Sequence, residues 1–285
     1  MQETMKHGYL IDMDGVIYRG SEAIPGASDF IRYLQEEQIP YLFLTNNSTY
    51  TPLDVVVKLR KFDIETTREH VYTSALATAA WVHRQKPDGT AFVIGEGGLL
   101  NALADVNYAI TSEHPDYVIV GEGRSLNFEQ AEKAHRFIAT GSHLVSTNED
   151  TWCPMDNGPR PGCGAIVAML ESATGRKAYH VGKPNPFMMR EARKKIGLST
   201  EEVIMIGDTM DTDIRGATDL SFKSILVLTG STTVESLKDY PYHPTKVVSS
   251  IREIIPASWR AAPPVAPFPM PVDEVKPLRD TMPAL

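Results

Sequence analysis

The sequence has 285 residues, and its 42% hydrophobic and 22% charged residues form an ordinary globular composition, which excludes wholesale disorder. Its length suggests one large domain or two modest ones. The 28 Lys and Arg residues are outnumbered by 36 Asp and Glu residues, giving a formal net charge of −8, so a nucleic-acid polymer, whose phosphates attract basic surfaces, is not the expected partner.

Short apolar runs alternate with helical patterns along most of the chain. Because several runs are apolar at consecutive positions, they predict strands buried on both faces of a parallel sheet. Strands that alternate with helices predict an α/β layered fold. The predicted strands are, in chain order, Tyr9–Asp12, Tyr41–Thr45, Ala91–Gly95, Tyr117–Gly121, Leu144–Thr147, Val203–Gly207 and Ser224–Leu228.

Three helices between these strands have readable signals. Apolar residues recur at helical spacing from Ala27 to Leu34 and predict the first helix. Thr51 before Pro52 predicts a capped helix start, with the proline at the first helical position. Ser199 with Glu202 predicts a capping box at the start of a third helix.

The cysteines and the longest apolar runs predict the cellular compartment of the protein. Cys153 and Cys163 have no zinc-finger spacing, and they predict free thiols in a reducing compartment. The apolar runs fall well short of the ~18 residues that a membrane helix needs, and residues 1–7 have no signal-peptide core. We therefore expect a cytoplasmic protein with no membrane partner.

Residues 256–285 contain eight of the 20 prolines, and these prolines cannot continue a helix or a central strand. We interpret the segment as an extended or disordered proline-rich tail. The alternative is a tail that packs on the surface or docks a partner through Trp259, Phe268 and Met270.

Two carboxylates follow the first apolar strand. Asp12 and Asp14 are two residues apart, so along an extended strand both side chains lie on one side. Two close carboxylates repel unless a cation lies between them or one is protonated. Gly15 lets the backbone turn sharply, so that its amides can face an anion. The pattern is typical of an ion site, although Asp and Gly are also common in ordinary turns after strands.

Two more apolar strands end in polar residues, and a lysine lies between them in the sequence. Tyr41–Leu44 leads into Thr45, Asn46 and Asn47, and Val203–Ile206 leads into Gly207–Asp213. Lys183 stands between a glycine and a proline that can start a helix. Because ligands of open α/β sheets bind beyond the carboxyl ends of the strands, we expect these groups to converge. Each motif alone is also compatible with a solvated loop, so the prediction depends on the whole set.

This set resembles the haloacid dehalogenase superfamily of phosphohydrolases. The DxDG motif matches Asp12–Gly15, the Ser or Thr of the second motif matches Thr45, the lysine matches Lys183, and GDxxxTD matches Gly207–Asp213. A closer resemblance is to the subfamily of NagD-type nucleotide phosphatases, which have a large α/β cap inserted after the second motif. This resemblance covers about residues 7–255. The short sequences of this chain that resemble the subfamily are residues 73–79, 93–99, 115–125, 147–151, 162–165 and 181–186.

The resemblance implies an α/β fold with a Rossmann-like parallel-sheet core and an inserted α/β cap domain. Residues 1–76 and 181–255 would form the catalytic core and residues 77–180 the cap, with residues 256–285 as the tail. Self-association through the cap is left open.

The resemblance also implies a mechanism. Asp12 would attack phosphorus to form an aspartyl-phosphate, and Asp14 would protonate the leaving alkoxide and later activate water. Mg²⁺ is the expected cofactor, held by Asp12, Asp208 and the backbone carbonyl of Asp14, with Asp213 supporting this ligand set from outside. The predicted phosphoryl-binding residues are Gly15, Thr45, Asn46, Asn47 and Lys183.

The segment 148–161 lies where such caps present specificity residues. Asn148, Asp150 and Trp152 are predicted to contact the leaving group, and the alternative is an ordinary polar loop. The expected partners are small phosphorylated metabolites, with nucleoside monophosphates such as UMP as the first hypothesis. Phosphoglycolate, glycerol phosphate, sugar phosphates and pyridoxal phosphate are the alternatives. From another class, a phospho-accepting signalling module also combines Asp, Thr and Lys around Mg²⁺, but Asp14 and the insertion argue against it.

Overall fold

The computed structural model describes residues 7–124, 126–153 and 158–260, and for Arg260 the backbone alone. The described residues up to Ile255 form one unit, and a second unit begins at Pro256. The predicted tail is described only as far as the short helix Ala257–Arg260. Phe268 and Met270 lie outside the described residues, so neither interpretation of the tail is tested.

The strands are, in chain order, β1 Gly8–Ile11, β2 Tyr18–Arg19, β3 Glu22–Ala23, β4 Tyr41–Thr45, β5 Val71–Thr73, β6 Thr90–Ile94, β7 Ala109–Ile110, β8 Tyr117–Val120, β9 His143–Ser146, β10 Trp152–Cys153, β11 Arg160–Pro161, β12 Tyr179–His180, β13 Val203–Gly207, β14 Lys223–Val227 and β15 Lys246–Val248. The α-helices are α1 Ala27–Glu36, α2 Pro52–Arg60, α3 Ser74–Gln85, α4 Gly97–Asp105, α5 Phe128–Ala139, α6 Cys163–Thr174, α7 Pro186–Lys195, α8 Arg215–Asp219 and α9 Ala257–Arg260.

Two parallel sheets organise these elements. The first sheet has the order β15-β14-β13-β1-β4-β5, and its neighbouring strands all run parallel. The second sheet has the order β12-β9-β8-β6-β7 and is also parallel. Two antiparallel ribbons, β2–β3 and β10–β11, lie outside the sheets. The predicted α/β fold is confirmed, and each predicted strand lies within one residue of its expected bounds.

The two sheets share a buried apolar core because their strands are apolar at consecutive positions. Every residue of β4 and of β8 is buried. One buried cluster includes Leu10 and Leu42 of the first sheet, the apolar face of α3, and Ile119 and Val145 of the second. Helix α3 runs across the predicted boundary between residues 76 and 77, so the proposed division into core and cap stays a prediction.

The predicted helix starts have different outcomes. At α2, the Thr51 hydroxyl accepts a hydrogen bond from the Asp54 amide at 3.2 Å, and the Asp54 carboxylate accepts one from the Thr51 amide at 2.9 Å, so the predicted cap is confirmed. The third predicted helix start is wrong. Glu202 accepts a hydrogen bond from the Ser199 amide at 2.7 Å, but this contact closes a turn that leads into β13. Pairing of β13 with β1 and β14 outweighs the local signal.

The remaining sequence predictions concern cysteines and membrane spans. Cys153 and Cys163 are both free, as predicted. Cys163 is buried at the start of α6, whereas Cys153 is partly exposed on β10. Within the part of the chain that the structure describes, no helix is both long and apolar enough to cross a membrane.

Candidate active site

The carboxyl ends of β1, β4 and β13 lie at one edge of the first sheet, because the three strands are parallel neighbours. Asp12 follows β1, Thr45 ends β4 and Asp208 follows β13. All three side chains are buried. The structure therefore brings these residues to the edge of the sheet where ligands bind in open α/β folds.

Lys183 reaches this edge from the loop between β12 and α7. Its Nζ donates to Asp12 Oδ1 at 2.5 Å and to Asp213 Oδ1 at 2.7 Å, and its side chain is 3% exposed. Burial alone lowers the pKa of the Lys183 ammonium, but the two carboxylates outweigh burial and raise the pKa above its ordinary value. Lys183 therefore stays charged near neutral pH.

Three buried carboxylates surround the lysine contact. Carboxylate oxygens, one each from Asp12, Asp208 and Asp213, lie within 4.8 Å of one another. Burial raises the pKa of both Asp12 and Asp213, Lys183 opposes this shift, and the neighbouring carboxylates add to it. Three carboxylates with a single lysine are self-repelling, and their oxygens suit a hard divalent cation such as Mg²⁺. Asp213, expected outside the ligand set, is a full member of this cluster.

The Asp208 carboxylate is held in place by short contacts. Its Oδ2 accepts a hydrogen bond from the Ser231 amide at 2.6 Å, and its Oδ1 accepts one from the Thr209 hydroxyl at 3.0 Å. A Cβ at Gly230 would lie only 2.0 Å from Asp208 Oδ2. A glycine is therefore needed at position 230 for the backbone to approach Asp208 this closely.

Gly15 supports the turn after the two aspartates. Its backbone has φ +78°, a conformation that favours glycine, and its N–H donates to the Tyr18 carbonyl at 2.7 Å. The amide of Gly15 is thus used within the turn, and its contact with an anion stays a prediction.

The Asp14 side chain lies beside this turn and outside the carboxylate cluster. Its Oδ2 is 3.4 Å from the hydroxyl of Tyr18, and the ring of Tyr18 carries the ammonium of Lys58 at 3.4 Å from its centroid. Burial raises the pKa of Asp14, and Lys58 partly opposes the shift. Asp14 is therefore more easily protonated than an exposed aspartate.

The residues after β4 are oriented by one another. Thr45 Oγ1 accepts a hydrogen bond from the Asn47 amide at 3.1 Å. The Asn46 side chain bonds to both backbone groups of Lys183, which joins the end of β4 to the lysine loop. Asn47 Oδ1 accepts from the Thr49 amide at 3.0 Å, so part of its side chain closes a turn.

The predicted leaving-group residues differ in their placement. Asn148 is fully buried, and its Nδ2 donates to the Asn46 carbonyl at 2.8 Å. Asp150 Oδ2 accepts from Asn46 Nδ2 at 3.0 Å, so both residues border the site through Asn46. Trp152 lies on the β10–β11 ribbon and is 54% exposed as a residue.

Two charged residues of this region are missing from the sequence predictions. Glu122 follows β8, is 5% exposed, and accepts hydrogen bonds from Arg160 Nη2 at 3.2 Å and Asn47 Nδ2 at 3.4 Å. Burial raises the pKa of Glu122 to about 7, although Arg160 acts to lower it. A carboxylate just after an apolar strand is the sequence signal that predicted Asp12 as a site residue, and Glu122 has the same signal. No local sequence pattern marks Arg160 as a site residue.

Comparison with known proteins identifies the family. A family model for haloacid dehalogenase-like hydrolases matches residues 9–109, and a second HAD-hydrolase-like model matches residues 180–254. The chain is 38% identical to the dihydroxyacetone phosphatase of Corynebacterium glutamicum, with 88% of this chain and 91% of the relative covered. It is 38% identical to the 5'-nucleotidase YutF of Bacillus subtilis, with 87% and 97% covered, and 40% identical to an acid sugar phosphatase of Staphylococcus epidermidis, with 85% and 94% covered.

Solved structures agree with these relatives. The thermostable NPPase double mutant of Geobacillus stearothermophilus superposes with a TM-score of 0.83 at 41% identity, covering 87% of this chain and 98% of its own. NagD of E. coli K-12 superposes with a TM-score of 0.83 at 35% identity, covering 88% and 99%. The chain therefore belongs to the haloacid dehalogenase-like hydrolases, with NagD among its structural neighbours, and is a phosphoric monoester hydrolase.

Proposed function

We propose that this enzyme hydrolyses small phosphomonoesters with Mg²⁺ through an aspartyl-phosphate on Asp12. The observation that carries the proposal is the contact of the Lys183 ammonium with the buried Asp12, at the strand ends that also bear Thr45 and Asp208. A buried carboxylate next to a fixed positive charge suits attack on a dianionic phosphate ester, because phosphoryl transfer depends mainly on positioning and charge neutralisation.

The donor set fits a magnesium ion. Asp12, Asp208 and Asp213 offer carboxylate oxygens within 4.8 Å of one another, and Lys183 alone does not balance their charge. We propose Asp12, Asp208 and the backbone carbonyl of Asp14 as the ligands, with Asp213 supporting them from its contact with Lys183. When bound, Mg²⁺ would supply positive charge that offsets the charge of the phosphoryl oxygens.

The proposed reaction has two displacements. In the first, a carboxylate oxygen of Asp12 bonds to phosphorus, the ester P–O bond breaks, and the leaving alkoxide takes a proton from Asp14. In the second, water attacks the phosphorus of the aspartyl-phosphate and gives a proton to Asp14, and the P–O bond to Asp12 breaks to release phosphate. The position of Asp14, two residues from the nucleophile and beside Tyr18, supports this role.

The phosphoryl oxygens need donors around the nucleophile. We propose that the Thr45 hydroxyl, the Asn46 backbone amide and the Lys183 ammonium provide them. The contacts between Asn46 and Lys183 support this set, since they fix the end of β4 against the lysine loop. Asn47 acts by holding Thr45, whose hydroxyl accepts from its amide.

The leaving alcohol is the part of the substrate in which the named relatives differ. The named relatives act on dihydroxyacetone phosphate, on nucleotides and on sugar phosphates. Nucleoside monophosphates such as UMP remain one hypothesis for this chain. The charged and amide groups beside the phosphoryl site favour an alcohol that carries hydroxyls, because a hydroxyl can donate to the carboxylates and accept from the amide and guanidinium groups; they are Glu122, Asn148, Asp150 and Arg160. Cytoplasmic location and self-association through the cap stay predictions.

Asp12→Asn tests the proposal, with phosphate release measured on UMP and 4-nitrophenyl phosphate. The change removes the nucleophile and one ligand but little volume, so we expect turnover to be lost while the circular dichroism spectrum is retained. Asp211→Asn is the matched control, because Asp211 is an exposed aspartate of the GDxxxTD motif that also contains Asp208. Turnover by Asp12→Asn at the wild-type rate would remove Asp12 from its role. In the wild type, a stable aspartyl-phosphate on Asp12 without phosphate release would instead favour the signalling module.

A further inference from the structure

A polar cluster borders the phosphoryl site, and the mechanism above does not use it. The cluster consists of Glu122, Asn148 and Arg160 with the side chain of Asn47, and we refer to it as the Glu122 cluster. Glu122 follows β8 of the second sheet, and Arg160 reaches it from the β10–β11 ribbon. Asn47 connects the cluster to the phosphoryl site, because its backbone amide donates to Thr45 Oγ1.

The Glu122 carboxylate retains hydrogen-bonding capacity. Its three hydrogen bonds are long, at 3.4 Å to Asn47 Nδ2, 3.3 Å to Asn148 Nδ2 and 3.2 Å to Arg160 Nη2. Charge-assisted bonds are usually about 2.7–2.9 Å, and an ionised carboxylate has about four acceptor positions. The carboxylate can therefore accept a further, shorter bond from a hydroxyl group.

Arg160 also has an unused donor. Its Nη1 donates to the Pro161 carbonyl and its Nη2 to Glu122, whereas its Nε is buried and has no hydrogen-bond partner among the described residues. A buried donor without a partner is unfavourable, and an oxygen atom of a ligand would relieve this cost. The Glu122 cluster thus presents an acceptor and a donor side by side.

A purely structural role leaves part of the cluster unexplained. Arg160 pairs with Glu122 at 3.2 Å, but its Nε has no hydrogen-bond partner among the described residues, and all three bonds to the Glu122 carboxylate are long. The cluster also lies close to the phosphoryl site, because Asn148 Nδ2 donates both to the Asn46 carbonyl at 2.8 Å and to Glu122 Oε1 at 3.3 Å. A buried carboxyl group with a raised pKa beside such a cluster is typical of a functional site.

We infer that Glu122 is a specificity-determining residue that accepts a hydrogen bond from a hydroxyl group of the leaving alcohol, and that Arg160 is the positioning residue that holds its carboxylate. The inference rests on the proposed function, since it assigns the leaving-group end of the same site. The substrates it selects are phosphomonoesters of polyhydroxylated alcohols, such as trioses, glycerol and sugars. Alkyl and aryl esters without hydroxyls cannot use Glu122.

Hydroxyl deletion in the substrate combined with Glu122→Gln tests the inference. We would measure kcat/KM for glycerol 3-phosphate, ribose 5-phosphate, propyl phosphate and 4-nitrophenyl phosphate at pH 8, where Glu122, with its pKa raised to about 7, is ionised. A hydrogen bond to a charged group predicts that the wild type prefers a hydroxylated ester to propyl phosphate by roughly tenfold or more. Since a neutral amide accepts more weakly, we expect this preference to shrink to about threefold or less in Glu122→Gln.

Matched variants separate specificity from folding. Glu129→Gln on the exposed surface of α5 is expected to keep the wild-type preference. Arg160→Lys retains the charge but loses the fork of the guanidinium, so an intermediate preference is expected. Thermal melting measures whether each variant is folded. The comparison of esters in the wild type tests the inference without any variant.

The contrary outcomes are distinct. Equal kcat/KM for propyl phosphate and both hydroxylated esters in the wild type would overturn the inference. An equal fractional loss on all four esters in Glu122→Gln would show a structural role and would also overturn it. Absence of turnover on every ester by the wild type, 4-nitrophenyl phosphate included, would instead overturn the proposed function and, with it, the inference.

Discussion

The side chain of Asn46 makes hydrogen bonds to both backbone groups of Lys183. Asn46 Oδ1 accepts from the Lys183 amide at 2.8 Å, and Asn46 Nδ2 donates to the Lys183 carbonyl at 3.1 Å. The Asn46 carboxamide therefore bonds to the Lys183 backbone as the backbone of a neighbouring strand would. These two bonds fix the loop that carries the Lys183 ammonium. Gly182 allows this approach, since a Cβ there would lie 2.7 Å from Asn46 Oδ1.

Asn46→Asp is expected to impair catalysis with little change in volume. The aspartate would keep one acceptor, but its second oxygen would face the Lys183 carbonyl and the carboxylate of Asp150, which now accept hydrogen bonds from Nδ2. Repulsion among these oxygens would displace the lysine loop, and we expect kcat on 4-nitrophenyl phosphate to fall by about 100-fold, as when a preorganised donor is lost.

The control is Asn127→Asp, because Asn127 caps the exposed start of α5 and aspartate caps a helix equally well. Wild-type kcat for Asn46→Asp would show that the two backbone contacts of Lys183 do not matter for catalysis.

Lys183→Met is expected to destabilise the fold as well as abolish activity. The substitution leaves Asp12 and Asp213 buried without their cation, and breaking a buried ion pair costs about 3–5 kcal/mol. The loss should be smaller at low pH, where these carboxylates become protonated. Urea unfolding at a low pH and at neutral pH measures the loss of unfolding free energy in Lys183→Met relative to the wild type.

The matched change at the surface is Lys194→Met, since Lys194 pairs with Glu191 on the exposed side of α7. We expect it to cost less than about 1 kcal/mol. Equal losses for the two variants would contradict a special role of Lys183 in stability.

The strands were predictable where the apolar run was long enough to bury a whole strand. Tyr41–Thr45 and Val203–Gly207 were predicted to the residue because each is continuously apolar and ends in polar groups. Strands β5 and β15 were missed, since each has three residues and is formed only by pairing with a neighbour at the end of the first sheet. The Ser199 signal failed because a local cap cannot compete with a strand that pairs on both sides.

The site was predictable only where a family motif marks it. Asp12, Thr45, Lys183 and Asp208 stand in such motifs, and the structure brings them together. The contact between Glu122 and Arg160 joins a strand end to a ribbon 38 residues later, and no periodicity along the chain encodes that approach. The pairing of Asn46 with Lys183 likewise depends on the tertiary fold.

Gly230→Ala is expected to weaken magnesium binding. A Cβ at this position would lie 2.0 Å from Asp208 Oδ2, so the carboxylate must move from its contact with the Ser231 amide. Because supporting contacts typically change metal affinity by about 10–100-fold, we expect the Mg²⁺ concentration for half-maximal activity to rise by about tenfold or more. The stabilisation of the fold by Mg²⁺ should shrink in parallel.

Gly97→Ala is the control for this change, because nothing lies within 4 Å of the added Cβ at the start of α4. An unchanged Mg²⁺ titration for Gly230→Ala would argue that Asp208 does not hold the metal.

Glu122 predicts a pH dependence of stability. Burial raises the pKa of Glu122 in the folded protein to about 7, and its ordinary value is 4.5. The folded state therefore binds this proton more tightly than the unfolded state, so the contribution to stability is complete below about pH 4.5 and is lost as the pH rises through 7.

Glu122→Gln removes the titration. Relative to the wild type, its free energy of unfolding should rise between pH 5 and pH 8 by up to about 3 kcal/mol. Urea unfolding at both pH values measures this difference, with Glu129→Gln expected to follow the wild type closely. Parallel pH profiles for the wild type and Glu122→Gln would mean that the Glu122 cluster holds its carboxylate ionised at little cost.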